Sequence, residues 1–258
     1  MAALHAHSFG PAGGAPVLVV HGVTNTGARY RRLAEDELPG CRVVAPDLRG
    51  HGASTWDPPW DVGRHVADLI ALLDSERIAR ATVVAHSFGG MVALRLSAAA
   101  PDRLEGLALI DPACGIDPAR ALREAEDARR DDGWASVEVA RAARLALRPS
   151  HARDTVDEDL ATFLGRDDDG RYRLRYCRPA VVTAWSEMAR PVPSLRPYSG
   201  PVLLVTALQA DYVTEGLVAG LRRDAGARLT ERGIDAGHML AWDAREELGA
   251  LLREWMGR

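Results

Sequence analysis

Ala85-His86-Ser87-Phe88-Gly89-Gly90 follows a short β-branched run, Thr82-Val83-Val84, and precedes an apolar helix-forming stretch, Met91 to Ala100. A serine with small residues two positions before and two after it, set between a strand and a helix, has the pattern of a nucleophile elbow. The turn is tight enough to strain the serine backbone, and bulky neighbours would strike the adjacent strand and helix. In return the hydroxyl stands at a helix N-terminus, close to backbone N–H groups that can bind a developing oxyanion. Ala85 occupies the position where glycine is usual, so the match is to the broader small-x-Ser-x-small form.

Working outward, apolar runs alternate with amphipathic stretches. Val17 to Val20, Arg42 to Ala45, Thr82 to Ala85, Gly106 to Ile110 and Val202 to Thr206 each read as a strand buried on both faces. Val62 to Leu73 and Met91 to Ala99 read as helices between them. This alternation predicts an α/β fold with a mostly parallel central sheet and helices on both faces. Leu4 to Phe9 reads as a leading antiparallel strand, Ala227 to Ile234 as the last strand, and Ala244 to Met256 as a closing helix.

From Pro112 to about Pro197 the rhythm breaks. Ala119 to Arg130, Ala135 to Leu147 and Pro179 to Ala189 have helical spacing, and long strand-like runs are missing. A crossover needs one helix; several predict a helical lid. The expected division is a core domain of residues 1–112 and 198–258 and a helical lid (cap) domain of residues 113–197. Asp167 to Gly170 reads as a solvated turn rather than a calcium loop, which needs a longer ligand ladder.

A serine needs a base, and the base an orienting carboxylate. His238 lies just after the last predicted strand. Asp211 lies just after the strand before that, with Asp111, at the end of an earlier strand, as its rival. Ser87, Asp211 and His238 are the expected catalytic set, since all three would project from the carboxyl ends of strands. The competing readings are a plain helix N-cap for Ser87, a surface position for His238 and a helix cap for Asp211.

Further segments share one resemblance. Val20-His21-Gly22-Val23 resembles a His-Gly oxyanion loop, and Ala45 to Gly52 the loop after the next strand. Leu107 to Asp111 resembles the strand leading into a lid, and Gly237-His238 a histidine loop. In this order and spacing the chain resembles the α/β-hydrolases over nearly its full length. The resemblance implies a cofactor-free serine hydrolase working through an acyl-enzyme, carboxylesterase-like, on a small to medium apolar ester. It also places the oxyanion donors at the Val23 and Phe88 N–H groups. Lactone, thioester or C–C bond cleavage uses the same triad, and a non-hydrolytic binding protein can share the fold.

Trp134, Tyr176, Trp185 and Met239 are candidate substrate contacts, against a competing role in lid packing. His21 is expected to organise its loop by hydrogen bonding, His86 to pack, and Asp47 and Arg49 to pair locally. The eight histidines show no i, i+4 spacing, so no metal is expected.

Bulk properties narrow the partners. The 258 residues are 47% hydrophobic and 26% charged, with net charge −4, and all 32 basic residues are arginine. The arginines are scattered, so neither nucleic acid nor an anionic membrane is an expected partner; a small molecule is. Three cysteines without C-x-x-C spacing, and a first segment with neither basic nor apolar character, predict a cytoplasmic protein.

Overall fold

The computed structural model describes residues 4–130, 133–147 and 153–257. In chain order the core begins with β1 (Ala6–Phe9), β2 (Ala15–Val20), β3 (Cys41–Pro46), α1 (Val62–Ser75), β4 (Ala81–His86), α2 (Phe88–Ala99) and β5 (Leu104–Ile110). An inserted segment follows: α3 (Pro118–Arg129), α4 (Val137–Leu147), α5 (Arg153–Phe163), the hairpin β6 (Leu164–Arg166) and β7 (Tyr172–Leu174), then α6 (Arg178–Met188). The chain closes with β8 (Val202–Ala207), α7 (Glu215–Ala225), β9 (Leu229–Ile234), α8 (Leu240–Asp243) and α9 (Arg245–Trp255).

Among the described residues the main sheet has seven strands in the order β1-β3-β2-β4-β5-β8-β9. Only the β1–β3 pair is antiparallel. Successive residues of the central strands feed opposite faces, as the period of two demands. Leu18, Val20, Val83, Ala85, Leu107 and Leu109 join one core, covered by α1, α2 and α7. Val17, Val19, Val84, Ala108, Leu203 and Val205 join the other, closed by Tyr30, Leu240, Leu248 and Leu252. Burial on both sides is why these strands read as continuous apolar runs rather than alternating ones.

The helices begin where the side chains can satisfy their first N–H groups. Asp61 caps α1 by accepting from Arg64, Asp117 caps α3 ahead of Pro118, and Thr214 caps α7 through Leu217.

The inserted segment is not uniform. Ala121 of α3 and Val181, Ala184, Trp185 and Met188 of α6 belong to the main core. The outer part, α4, α5 and the hairpin, packs around its own small cluster of Ala140, Val156, Leu160, Phe163 and Leu174. Asp167 to Gly170 is the hairpin turn, closed by the Asp167 N–H donating to Arg171 (2.8 Å). No helix among the described residues is long and apolar enough to cross a membrane.

Candidate active site

Ser87 sits between β4 and α2 with φ 55° and ψ −121°. This left-handed φ is strained for a residue with a side chain, and here it turns the hydroxyl out of the sheet edge. The flanking residues are small for measurable reasons. A Cβ on Gly89 would lie 2.3 Å from the Val20 carbonyl oxygen, and one on Gly22 would lie 2.9 Å from Cβ of Ser87. The backbone of the His21-Gly22 loop therefore runs directly against the serine. Thr24 and Asp111 also have positive φ, 57° and 41°, so three of the strained non-glycine residues gather at this end of the sheet.

His238 reaches over the strand ends from the loop after β9. Its Nε2 lies 3.0 Å from Ser87 Oγ, and its Nδ1 lies 2.5 Å from Oδ2 of Asp111. The fully buried Asp111 follows β5, the neighbour of the Ser87 strand, and its Oδ1 accepts from the Ala207 N–H (3.0 Å). An ionised carboxylate can only accept, so Nδ1 carries the proton and Nε2 is left to accept from the serine hydroxyl.

Asp211, expected at this place from the sequence, is elsewhere. Its side chain is 84% exposed and pairs with Arg120 of α3 (2.8 Å). The next residue, Tyr212, turns inward instead and lays its ring against His238, centroids 4.0 Å apart. Arg120 covers the other side of that ring at 4.0 Å. The carboxylate beside His238 is thus that of Asp111, because β5 lies next to β4 and its terminal aspartate lies under the histidine loop. Asp211 tethers α3 to the rim.

A cavity of about 150 Å³ opens above Ser87, and Trp185 and Met239 line it together with Val23, Tyr212 and His238. Asn25 and Arg29 add a polar wall. Trp134 and Tyr176 do not line it. Trp134 pairs its backbone with Tyr172 and packs on the outer cluster of the insertion. Tyr176 bridges to His51 and faces the opposite side of the 50s loop. Trp134 packs within the insertion and Tyr176 joins the insertion to the core; neither lines the cavity above Ser87. A larger concavity of about 700 Å³, lined by Arg31, Arg32, Glu158 and Trp242, lies outside the Ser87 cavity. Its size does not make it the reactive site, since it holds neither Ser87 nor His238.

The guanidinium of Arg29, 2% exposed, forms two bonds to the carboxylate of Asp159 on α5, and its Nη1 donates to Asn25 Oδ1 (3.1 Å). Arg31 and Arg32 both hold Glu158, the residue before Asp159. A buried cation needs such a partner, so α5 is bound to the wall of the cavity by charge. This contact was illegible in the sequence because it joins residues 130 positions apart.

His86 also has a definite contact: its Nε2–H donates to the His238 carbonyl (2.8 Å), fixing the histidine loop. Arg49 pairs with Asp68 of α1, through bonds of 2.7 and 3.0 Å, and not with Asp47. Asp47 instead accepts from the Gly27 and Ala53 N–H groups, each at 2.9 Å. His21 donates from Nδ1 to the Gly22 carbonyl (2.7 Å) and accepts at Nε2 from the Leu48 N–H (2.8 Å). That pair of bonds requires the neutral ring.

Three buried histidines support this loop. Burial, with the nearby His51, lowers His21 from 6.5 to about 3. Burial lowers His51 to about 4, and burial, with His51 again, lowers His65 to about 3. Each stays neutral in the fold, while the unfolded chain protonates it below about pH 6.5. The unfolded state then binds more protons, so stability is full above that pH and is lost as pH falls toward 4. The slope approaches about 1.4 kcal/mol per pH unit for each histidine. Urea unfolding at pH 7.5, 6 and 5 checks this; His65→Gln should flatten the dependence, and a stability that does not fall below pH 6.5 contradicts it.

Comparison with known proteins agrees with this architecture. A family model described as the alpha/beta hydrolase family matches residues 17–251. The chain is 39% identical to a lipase, LipV of Mycobacterium tuberculosis, with 98% of each chain covered. It is 34% identical to the esterase YbfF of Escherichia coli over 37% of this chain and 38% of that one. Among solved structures, E-2-(acetamidomethylene)succinate hydrolase shares the fold, with a TM-score of 0.86 at 20% identity, covering 99% of this chain and 95% of the other. With the strand order, the strained serine turn and a family match over most of its length, the chain belongs to the alpha/beta hydrolase family.

Proposed function

We propose that the protein is a serine carboxylesterase acting on short-chain esters, with Ser87 as nucleophile, His238 as general base and Asp111 as the carboxylate that orients it. The observation that carries this reading is the continuous relay from Ser87 Oγ to His238 Nε2 (3.0 Å) and from His238 Nδ1 to Asp111 Oδ2 (2.5 Å). The names lipase and esterase of the two relatives support ester chemistry.

Ser87 attacks the ester carbonyl carbon as His238 takes its proton. The N–H groups of Val23 and Phe88 bind the oxyanion: Val23 follows the glycine packed on Ser87, and Phe88 opens α2. His238 then gives its proton to the departing alcohol, activates water, and the acyl-enzyme is released as the acid.

Residues 113–197 serve as the lid over a core of residues 1–112 and 198–258. Trp185 of α6 supplies one cavity wall, and α5 is held down by the Arg29–Asp159 pair. The cavity above Ser87, about 150 Å³, is well below the roughly 300–1,000 Å³ of sites that take drug-sized ligands. A short acyl group fits without lid movement, and this favours small esters over long ones.

A series of p-nitrophenyl esters from acetate to decanoate, run beside lactones and acyl thioesters, tests this. The expected result is a maximum in kcat/KM at two to four carbons and a fall on the order of tenfold or more by octanoate, or over 1.4 kcal/mol in transition-state binding. A maximum at long chains overturns the short-chain assignment, and a preference for thioesters or lactones overturns the ester assignment.

A further inference from the structure

The sheet edge carries a group of side chains that the ester chemistry does not use. His5 precedes β1, and His7 lies within it, two residues on and therefore on the same face. In the antiparallel register with β3, His7 faces Ala45, and Asp47 lies opposite His5, its N–H donating to the His5 carbonyl (2.8 Å). The pleat thus turns His5, His7 and Asp47 to one side. One ligating atom from each lies within 4.8 Å of the other two.

We propose that His5, His7 and Asp47 form a binding site for a late first-row divalent cation, with Zn²⁺ the best fit. Two imidazole nitrogens and one carboxylate oxygen are a donor set for zinc, nickel or copper, not for magnesium or calcium, which take oxygen. The His7 Nε2 to Asp47 Oδ1 distance is 3.3 Å. Two ligands about 2.0–2.2 Å from a tetrahedral ion stand about 3.3–3.5 Å apart, so this pair already has the required bite. The His5 ring stands edge-on to the His7 ring, centroids 4.7 Å apart at 83°, and rotation of this exposed side chain closes the third bond.

The surroundings are those of a braced ligand set. Asp47 is held at Oδ1 by the Gly27 N–H and at Oδ2 by the Ala53 N–H, which leaves Oδ1 a second lone pair for the ion. The His5 backbone is fixed by its N–H donating to Ser54 Oγ (2.8 Å). His5 is exposed and His7 partly so; an ion therefore enters from solvent and keeps water in its fourth position. Binding would tie β1 to Asp47, and through it to Gly27, where the loop packed on Ser87 ends. The site was invisible to a search for helical i, i+4 histidines, because its two histidines have strand spacing and its carboxylate comes from a different strand.

Isothermal titration of the tag-free full chain with ZnCl₂ tests the site, with thermal unfolding alongside. The expected result is one Zn²⁺ per chain at this site and a rise in Tm on the order of 5 °C at saturation. His5→Gln and His7→Gln, which leave Ser87, His238 and Asp111 untouched, should each weaken binding about tenfold or more and remove the rise in Tm. His5 is exposed, so its variant keeps the metal-free Tm and separates lost binding from lost folding. Zinc binding equal in the wild type and in both variants, or absent from the wild type, overturns the site and leaves the esterase assignment untouched.

Discussion

Ser87→Ala is expected to lower kcat on p-nitrophenyl acetate by about five to six orders of magnitude, close to the loss seen when a whole triad is removed. In the proposed mechanism the hydroxyl is the one atom of the relay that bonds to carbon, so its loss closes the acyl-enzyme route. What survives, about 10³–10⁴ over water, is the contribution of the oxyanion donors and of binding. The fold should not suffer. Alanine meets the same positive φ as serine, and the lost hydroxyl has its described contact with His238 alone. Steady-state kinetics with a circular dichroism control checks both halves; a variant that retains more than about one thousandth of the activity contradicts Ser87 as nucleophile.

The second large effect separates the two aspartates. Asp111→Asn is expected to cost about 10⁴-fold in kcat, by the logic of tautomers. Asn can keep its oxygen on the Ala207 N–H, where Oδ1 of Asp111 now sits, and this turns its NH₂ toward His238 Nδ1. Nδ1 must then accept, the proton moves to Nε2, and a protonated Nε2 cannot take one from Ser87. Asp211→Asn removes an exposed ion pair with Arg120 and should change kcat/KM by no more than about threefold. Equal losses in the two variants, or a larger loss at Asp211, would reverse the assignment.

That pair of residues also marks where the sequence stops being readable. Ser87 and His238 could be found locally. One lies in a strand-to-helix turn with small flanks, the other follows a glycine after the last strand, and the fold brings the two within 3.0 Å. The acid had two candidates, each just past the end of a strand, and choosing between them requires knowing which strand lies beside β4 and which way a loop residue faces. Asp211 and Tyr212 illustrate the second point: adjacent residues, one turned to solvent and one stacked on His238. Periodicity placed the sheet well because its strands are buried on both faces. It missed α5, whose Arg153 to Phe163 is too polar to show a clear stripe, yet this helix carries the Asp159 that neutralises Arg29. Trp134 and Tyr176 failed for a related reason: aromatic content marks burial, but only tertiary packing decides whether a ring faces Ser87 or the insertion's own cluster.

Covalent labelling tests the central claim most directly. Incubation with a fluorophosphonate, followed by intact mass and peptide mapping, is predicted to give one adduct per chain, on Ser87. Labelling should be absent in Ser87→Ala and strongly slowed in Asp111→Asn, but unchanged in Asp211→Asn. Folded wild-type protein that takes no label, or takes it at another residue, would contradict the account.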